Sequence, residues 1–411
     1  MLTLRAMREG TDSGTRIVLT LSGGKLPPQF QDGRIFFELL DDEITDLTTL
    51  DGFASGIIHF LMESRQDLHI EGRISRTYLR NLTEYQRYWS LIRPDRCSAI
   101  RITADEIVAD CGDTRDLPAL ASYSGGIDSS FTVLRHSLKL CGMDTIPPQA
   151  VVTVHGLDVT LANQAGFTAL LERLRPVIDE LGLKRYVVRT NLKELALQDW
   201  LDSHCAQLVA CLHTVSHRHS AALVANDGYA QFPLFDYAGN PVTVPLLTTS
   251  RLKVLLDGGH HGRTDKVRLL AQYPTILRSL KFCWEGTEVD RNCGHCPKCL
   301  LTYMNFRAVG VEEPDCFDTP IRPELVDTFA IRSTAAFVLG FEALQHLWKM
   351  PNASDVTARF SAPILRFDEE SMQQYSAQSG AGHDENLSSD RRPGLRKFLD
   401  MIIGTGHVSS R

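Results

Sequence analysis

The chain has 411 residues, of which 43% are hydrophobic and 23% are charged, and its formal net charge is −7. These proportions are typical of a globular protein and exclude fibrous and disordered classes. The first residues lack the apolar core of a secretory signal, and no run of about 18 apolar residues follows. We therefore expect a cytoplasmic protein with no membrane partner. The negative charge gives no broad field for nucleic acid and argues against such a partner.

Residues 1–115 have the pattern of an amino-terminal α+β domain. Short β-branched and aromatic segments predict strands, and longer amphipathic segments predict helices. The predicted strands are 16–23, 34–40 and 68–74, and the predicted helices are 52–64 and 76–91. Leu79, Leu82, Tyr85 and Trp89 recur at helical spacing in the second helix. That spacing favours a core helix over a strip of basic and aromatic residues that binds nucleic acid.

Residues 116–315 alternate short apolar runs with longer amphipathic ones. This alternation predicts an α/β fold, a doubly wound parallel sheet with helices on both faces. The predicted strands are 120–123, 150–155, 185–189 and 221–225. The longest helical segment, 160–182, contains Pro176, which predicts a kink.

The remaining segment, 316–411, predicts a helical carboxy-terminal extension. One strongly apolar helix is expected over 328–349. Residues of about 369–392 are polar and poor in large apolar side chains, so we expect a mobile linker there, followed by a short helix at 393–403.

The sequence Ser124-Gly125-Gly126 separates the first strand of the α/β region from a helix that should begin near Ile127. A helix start carries unpaired N–H groups and partial positive charge, and glycines let an anion approach the backbone. Serine hydroxyls add further donors. The pattern therefore predicts a phosphate-binding loop. Its predicted residues are Ser124, Gly125, Gly126, Asp128, Ser129 and Ser130.

An ordinary turn capped by serines is the alternative interpretation of this loop. A second Ser-Gly-Gly at 22–24 also follows a strand, but Pro27 and Pro28 replace the helix and no Asp-Ser follows. We interpret that copy as a turn. In the loop that begins at Ser124, Asp128 is placed to order the loop or to hold Mg²⁺.

Four further residues are candidates for the same site. His155 and Gly156 follow the second strand, where nucleotides bind in open α/β sheets, although an exposed loop histidine is an equal alternative. Arg263 and Lys266 begin another helix and are placed to neutralise phosphates, with a solvated helix face as the alternative.

A group of histidines lies between the two regions of this site in the sequence. The pattern of His213, His217 and His219 favours a helix surface over a metal site, because no glutamate accompanies them.

Cys293, Cys296 and Cys299 are spaced as Cys-x2-Cys-x2-Cys, and Cys283 lies ten residues earlier. Four thiolates in a tetrahedron would make a closed, structural Zn²⁺ site. Unligated buried cysteines, an iron–sulfur cluster, or zinc with His295 as one ligand remain alternatives. Cys316 is a weaker candidate for the fourth ligand.

The motif at 124–129 resembles the loop of the PP-loop ATP pyrophosphatases. Followed by the cysteines in one chain, it is similar to the QueC family, the 7-cyano-7-deazaguanine synthases, over about residues 117–310. The resemblance implies a PP-loop fold of the adenine nucleotide alpha hydrolase type, with pyrophosphate bound at 124–129 and zinc bound by the four cysteines. The additional terminal segments resemble longer relatives from bacterial anti-phage systems, the QatC type among them.

The resemblance also implies a reaction. Its members use ATP to adenylate the carboxylate of a 7-deazaguanine base, release pyrophosphate, and attack the adenylate with ammonia. A protein amine of a partner is a second possible nucleophile here. Asp128, Ser129, Arg263 and Lys266 are the predicted catalytic residues. A tRNA-thiolating PP-loop enzyme and an ATP-binding subunit without turnover are the alternative functions.

Overall fold

The computed structural model describes residues 1–365 except 46, 111–116, 228–236, 284–289 and 332–333. The predicted linker at 369–392 and the helix at 393–403 lie outside the described residues. The predicted domain boundary between 115 and 116 also lies outside the described residues.

The described chain folds as an α/β protein. Its strands are β1 Leu2–Thr11, β2 Gly14–Ser22, β3 Arg34–Leu40, β4 Leu68–Ser75, β5 Ile102–Val108, β6 Ala119–Ser122, β7 Pro148–His155, β8 Lys184–Thr190, β9 Ala221–Ala225 and β10 Lys253–Asp257. Its α-helices are α1 Ile58–Ser64, α2 Arg76–Ile92, α3 Ile127–Ser137, α4 Gln164–Glu180, α5 Trp200–Leu212, α6 Arg263–Leu270, α7 Pro274–Ser279, α8 Pro297–Arg307, α9 Thr334–Leu347 and α10 Ser354–Leu365.

All ten strands form one sheet in the order β10-β9-β6-β7-β8-β3-β2-β1-β4-β5. The sheet is mostly parallel, and strands β6 to β10 are all parallel to one another. Strand β3 pairs antiparallel with β8. The sheet therefore runs without interruption from the amino-terminal segment into the α/β region.

The strands at the centre of the α/β region are buried on both faces. Successive residues of β6, Leu120 and Ala121, belong to two different apolar clusters, one on each side of the sheet. Helix α5 contributes Val209 to the first cluster, and α3 contributes Phe131 to the second. Two-sided burial of this kind is why these strands have continuous apolar sequences rather than alternating ones.

Most predicted elements are confirmed, but some strands and helices were missed. The predicted helix at 328–349 is shorter, because Pro323–Thr328 forms a 3-10 turn and α9 begins at Thr334. Strands β1, β5 and β10 and helices α7 and α10 were not predicted. Among the described helices, none combines the length and the apolar character needed to cross a membrane.

The strand order also identifies a crevice. From β6 the chain proceeds to β7 and β8 on one side of the sheet, and then crosses to β9 and β10 on the other. Connections therefore leave the carboxyl ends of β6 and β9 in opposite directions, which opens the position where ligands bind in α/β sheets. The loop at 124–126 begins at this point.

Candidate functional site

The turn between β6 and α3 requires its first glycine. Gly125 has φ +80°, and a Cβ at this position would overlap the side chain of Leu174. Gly126 precedes the first helical residue in an extended conformation, with no side-chain hydrogen bond capping the helix. The first N–H groups of α3 therefore have no intrahelical acceptor and no capping side chain, as a phosphate-binding turn requires.

The three serines of the motif occupy different positions. The Ser129 hydroxyl donates to the Gly126 carbonyl and accepts from the Ser124 N–H, at 3.3 Å in each case. Ser124 is exposed, whereas the Ser130 side chain is buried within the first turn of the helix. Ser124 and Ser129 thus line the turn, and Ser130 does not reach its surface.

Asp128 joins the turn to a helix 135 residues further along the chain. Arg263 Nη2 donates to one carboxylate oxygen of Asp128 at 2.8 Å, and Lys266 Nζ donates to the other at 2.7 Å. Lys266 also donates to the main-chain carbonyl of Asn226, directly after β9, at 2.6 Å. Three strand ends of the crevice, those of β6, β9 and β10, are therefore connected by one set of ionic hydrogen bonds.

The burial of Arg263 and Lys266 determines the charge interactions around Asp128. Both Arg263 and Lys266 are buried, so the solvated helix face that was the alternative is wrong. Burial would raise the pKa of Asp128, but the two cations outweigh it and hold that pKa below its ordinary value. The carboxylate is therefore ionised at neutral pH. Because each of its oxygens already accepts from a cation, Asp128 does not fit the role of a Mg²⁺ ligand here.

Two charged residues at the crevice were not predicted. Lys298 lies between two cysteines at the start of α8, and burial together with nearby Arg263 lowers its pKa to about 8. Asp128 and Asp158 are among the carboxylates that oppose this shift. Asp227 follows β9 and accepts from the Tyr237 hydroxyl at 2.7 Å. The sequence signal for Asp227 was its position after a buried strand, whereas only the fold brings Lys298 to the crevice.

His155 and Gly156 have mainly structural surroundings. The His155 ring is fully buried, stacks on Phe167 with 4.2 Å between the ring centroids, and donates from Nε2 to the Thr160 carbonyl. The alternative of an exposed loop histidine is therefore wrong. Gly156 has φ +103°, and a Cβ there would overlap the Thr190 carbonyl oxygen. Gly156 therefore allows the chain after β7 to pass close to the end of β8.

The three histidines after α5 do not lie on a helix surface, which corrects the expectation. His213 and His219 are buried, and His213 begins a 3-10 turn that packs beneath the amino-terminal segment. A Cβ on Gly52 would overlap the His213 ring. Among the described residues, these histidines do not converge as metal ligands.

The four cysteines converge on one point. Their Sγ atoms lie within 4.8 Å of one another, and the Cys283–Cys296 and Cys293–Cys299 pairs are each 3.8 Å apart. A tetrahedral ion with Zn–S bonds of about 2.3 Å places its sulfurs about 3.8 Å apart. The four thiols could therefore hold a metal ion such as zinc. A multi-iron cluster would lie between the thiolates and separate them further. Cys316 and His295 are not part of this group.

Local structure explains why the cysteines meet. Gly294, with φ +77°, turns the chain after Cys293, and Cys296 caps α8 by accepting from the Cys299 N–H. The amide oxygen of Asn292 accepts from the main chain at Cys283. The main-chain N–H of Lys281 donates to the Gly125 carbonyl at 2.8 Å. The cysteine cluster is thus attached directly to the glycine turn.

No protein-family model matches the chain, and no curated protein is significantly similar to it.

Proposed function

We propose that the chain is an ATP-dependent enzyme of the PP-loop, QueC-like type. It would adenylate the carboxylate of a 7-deazaguanine-type compound, release pyrophosphate, and pass the acyl group to an amine. The amine would be ammonia or an amine of a protein partner. The resemblance of the two motifs suggests this chemistry, and the buried cations beside the glycine turn support it.

One observation carries the proposal. The uncapped start of α3 opens at the strand crossover, and Arg263 and Lys266 lie against Asp128 in the same first turn. Backbone N–H groups and two buried cations make an anion site far stronger than a surface lysine would. A polyphosphate is the ligand class that this combination suits.

The proposed steps are an adenylation and an acyl transfer. A carboxylate oxygen of the substrate attacks the α-phosphorus of ATP, and the bond from that phosphorus to the pyrophosphate oxygen breaks. The amine then attacks the acyl carbon and AMP leaves. Charge accumulates on the departing pyrophosphate, so the α3 amides with Arg263 and Lys266 would lower the first barrier by stabilising that charge. Mg²⁺ would accompany ATP, and we assign no ligand to it.

Zinc would have a structural role in this scheme. Four thiolates complete its coordination and leave no open position for a substrate. By fixing Cys283 and the start of α8, the ion would hold Lys281 against Gly125 and keep Lys298 at the crevice. The buried thiols with tetrahedral spacing favour this role over the redox chemistry of a thiolating enzyme.

The test is pyrophosphate release with mass spectrometry of the products. The full chain is incubated with ATP, Mg²⁺ and candidate 7-deazaguanine carboxylates, and AMP adducts are sought. We expect Lys266→Met to lower the rate at least 100-fold, about 2.7 kcal/mol in the barrier. Arg268→Met, on the exposed face of the same helix, is the matched control and should retain the rate.

Three outcomes would contradict the proposal. Equal adduct formation by the wild type and Lys266→Met would mean that the anion site is elsewhere. Pyrophosphate at background with every carboxylate and amine, while ATP still binds, would favour the subunit without turnover. Stoichiometric iron in the purified protein would instead favour a thiolating enzyme.

A further inference from the structure

A second group of metal-ligand side chains lies in the amino-terminal part of the sheet, remote in sequence from the four cysteines. A ring nitrogen of His59, a carboxylate oxygen of Glu63 and Sγ of Cys97 all lie within 4.8 Å of one another. His59 and Glu63 are four residues apart on α1 and share one face of it. Cys97 follows α2. Its N–H donates to the Arg93 carbonyl, and the turn closed by this bond returns the chain to α1.

The His59 side chain lacks one partner. The ring is completely buried, and Nε2 lies 2.8 Å from the Tyr85 hydroxyl. Nδ1 is also buried and has no hydrogen-bond partner among the described residues. A buried polar atom left unpaired costs about 1–3 kcal/mol, so its persistence in a packed core calls for a ligand. An Nε2–H bond to Tyr85 would also fix the tautomer that leaves Nδ1 free to coordinate.

The surrounding charges suit a divalent cation. Arg96 contacts Glu63, Asp199 and Asp202 at 3.2, 3.3 and 3.5 Å, and Arg93 contacts Asp202 at 3.4 Å. These contacts bring three carboxylates to two guanidinium groups, and Arg93 also pairs with the exposed Asp95. A divalent ion held by His59, Glu63 and Cys97 would therefore lie beside several carboxylates.

We propose that His59, Glu63 and Cys97 form a second metal site, which takes a divalent transition-metal ion, with Zn²⁺ as the best match. One nitrogen, one oxygen and one sulfur ligand suit zinc better than the oxygen-seeking Mg²⁺ or Ca²⁺. Arg96 would orient the Glu63 carboxylate from behind, as groups hydrogen-bonded to metal ligands commonly do. The site is independent of the ATP chemistry proposed above.

The test is the metal content of the full chain, measured for all first-row transition metals by mass spectrometry after dialysis against zinc. The wild type should hold two equivalents of zinc per chain. Cys97→Ala should hold one, Cys299→Ala should hold one, and the double variant none. Cys211→Ala removes a buried thiol outside both groups and should keep two.

A second variant guards against a folding artefact. Glu63→Gln keeps the shape and a hydrogen-bond acceptor for Arg96, and it should weaken zinc binding at this site at least tenfold with an unchanged circular dichroism spectrum. A wild type with one equivalent, lost only on mutation of Cys299, would overturn the proposal. So would two equivalents in both Cys97→Ala and Glu63→Gln. Neither result depends on whether the protein turns over ATP.

Discussion

Asp128 combines a stabilising role with the proposed binding role. Its carboxylate compensates two buried cations in the absence of a ligand, and it does so from the first turn of the helix that would bind phosphate. A polyphosphate could take over part of that compensation, because its oxygens accept from the same donors. The free energy of the unliganded fold and the affinity for an anion are thus coupled at one residue.

Replacement of Asp128 by asparagine should destabilise the fold by about 3 kcal/mol at neutral pH, because it leaves two buried cations without a counter-charge. The folded-state pKa of Asp128 lies below its unfolded value. The wild type therefore gains stability from this group above about pH 4 and loses it as the pH falls through the folded pKa. The free energy of unfolding in urea, measured across this range, should show the two proteins converging on acidification. A difference that is constant with pH would contradict this account.

The two glycines of the turn should differ in their tolerance of alanine. Gly125→Ala places a side chain at φ +80° against Leu174 and should cost about 1–3 kcal/mol of stability. Gly126 has φ −70°, and the nearest atom to an added Cβ is 3.5 Å away, so Gly126→Ala should cost about 1 kcal/mol or less. Thermal unfolding of both variants measures the difference. Equal costs would show that the turn relaxes around Gly125.

At the scale of elements, sequence patterns predicted strands with apolar sequences better than strands that carry charged residues. Strands β6 and β9 are almost entirely apolar because both of their faces are covered. Strand β1 contains Arg5, Arg8 and Glu9 among its apolar residues, so its sequence pattern alone does not predict a strand. Only the structure shows that it pairs with β2 and β4. The glycine turn and the cysteines were local signals. The Asp128–Lys266 contact has no local sequence signal, because only the order of the strands brings the two residues together.

Helix α2 shows how far periodicity alone can be used. The prediction of a core helix is confirmed, with Leu82, Tyr85 and Trp89 buried and Leu79 packed at the margin of the core. Trp89→Ala should cost about 4 kcal/mol because it opens a large cavity. Leu91, 78% exposed on the same helix, is the matched control, and Leu91→Ala should change stability by about 0.5 kcal/mol or less. Urea denaturation measures both, and similar costs would place Trp89 outside the core.

At the scale of the molecule, the amino-terminal segment and the α/β region share one sheet and one apolar cluster. Strand β3 pairs with β8 over four residues, Leu39 lies opposite Val188, and both side chains are buried in the cluster that also contains Val209 of α5. Glu38 of β3 is buried and bonds to Arg189 of β8 at 3.1 Å. Separation of the two parts would expose this surface and remove Arg189, one of the two cations that contact Glu38, the other being Arg16 of β2.

Leu39→Ala tests whether the two parts unfold together. A cavity at this position should cost about 3 kcal/mol. If the sheet is one cooperative unit, native-state hydrogen exchange should show the same loss of opening free energy for peptides from α2 and from α3. Two independent domains would confine the loss to α2, on the amino-terminal side, and leave α3 at its wild-type value. Leu140→Ala, at an exposed residue, controls for the substitution itself and should change neither helix. The comparison therefore decides whether the proposed phosphate site at α3 is coupled energetically to the segment that contains His59 and Cys97.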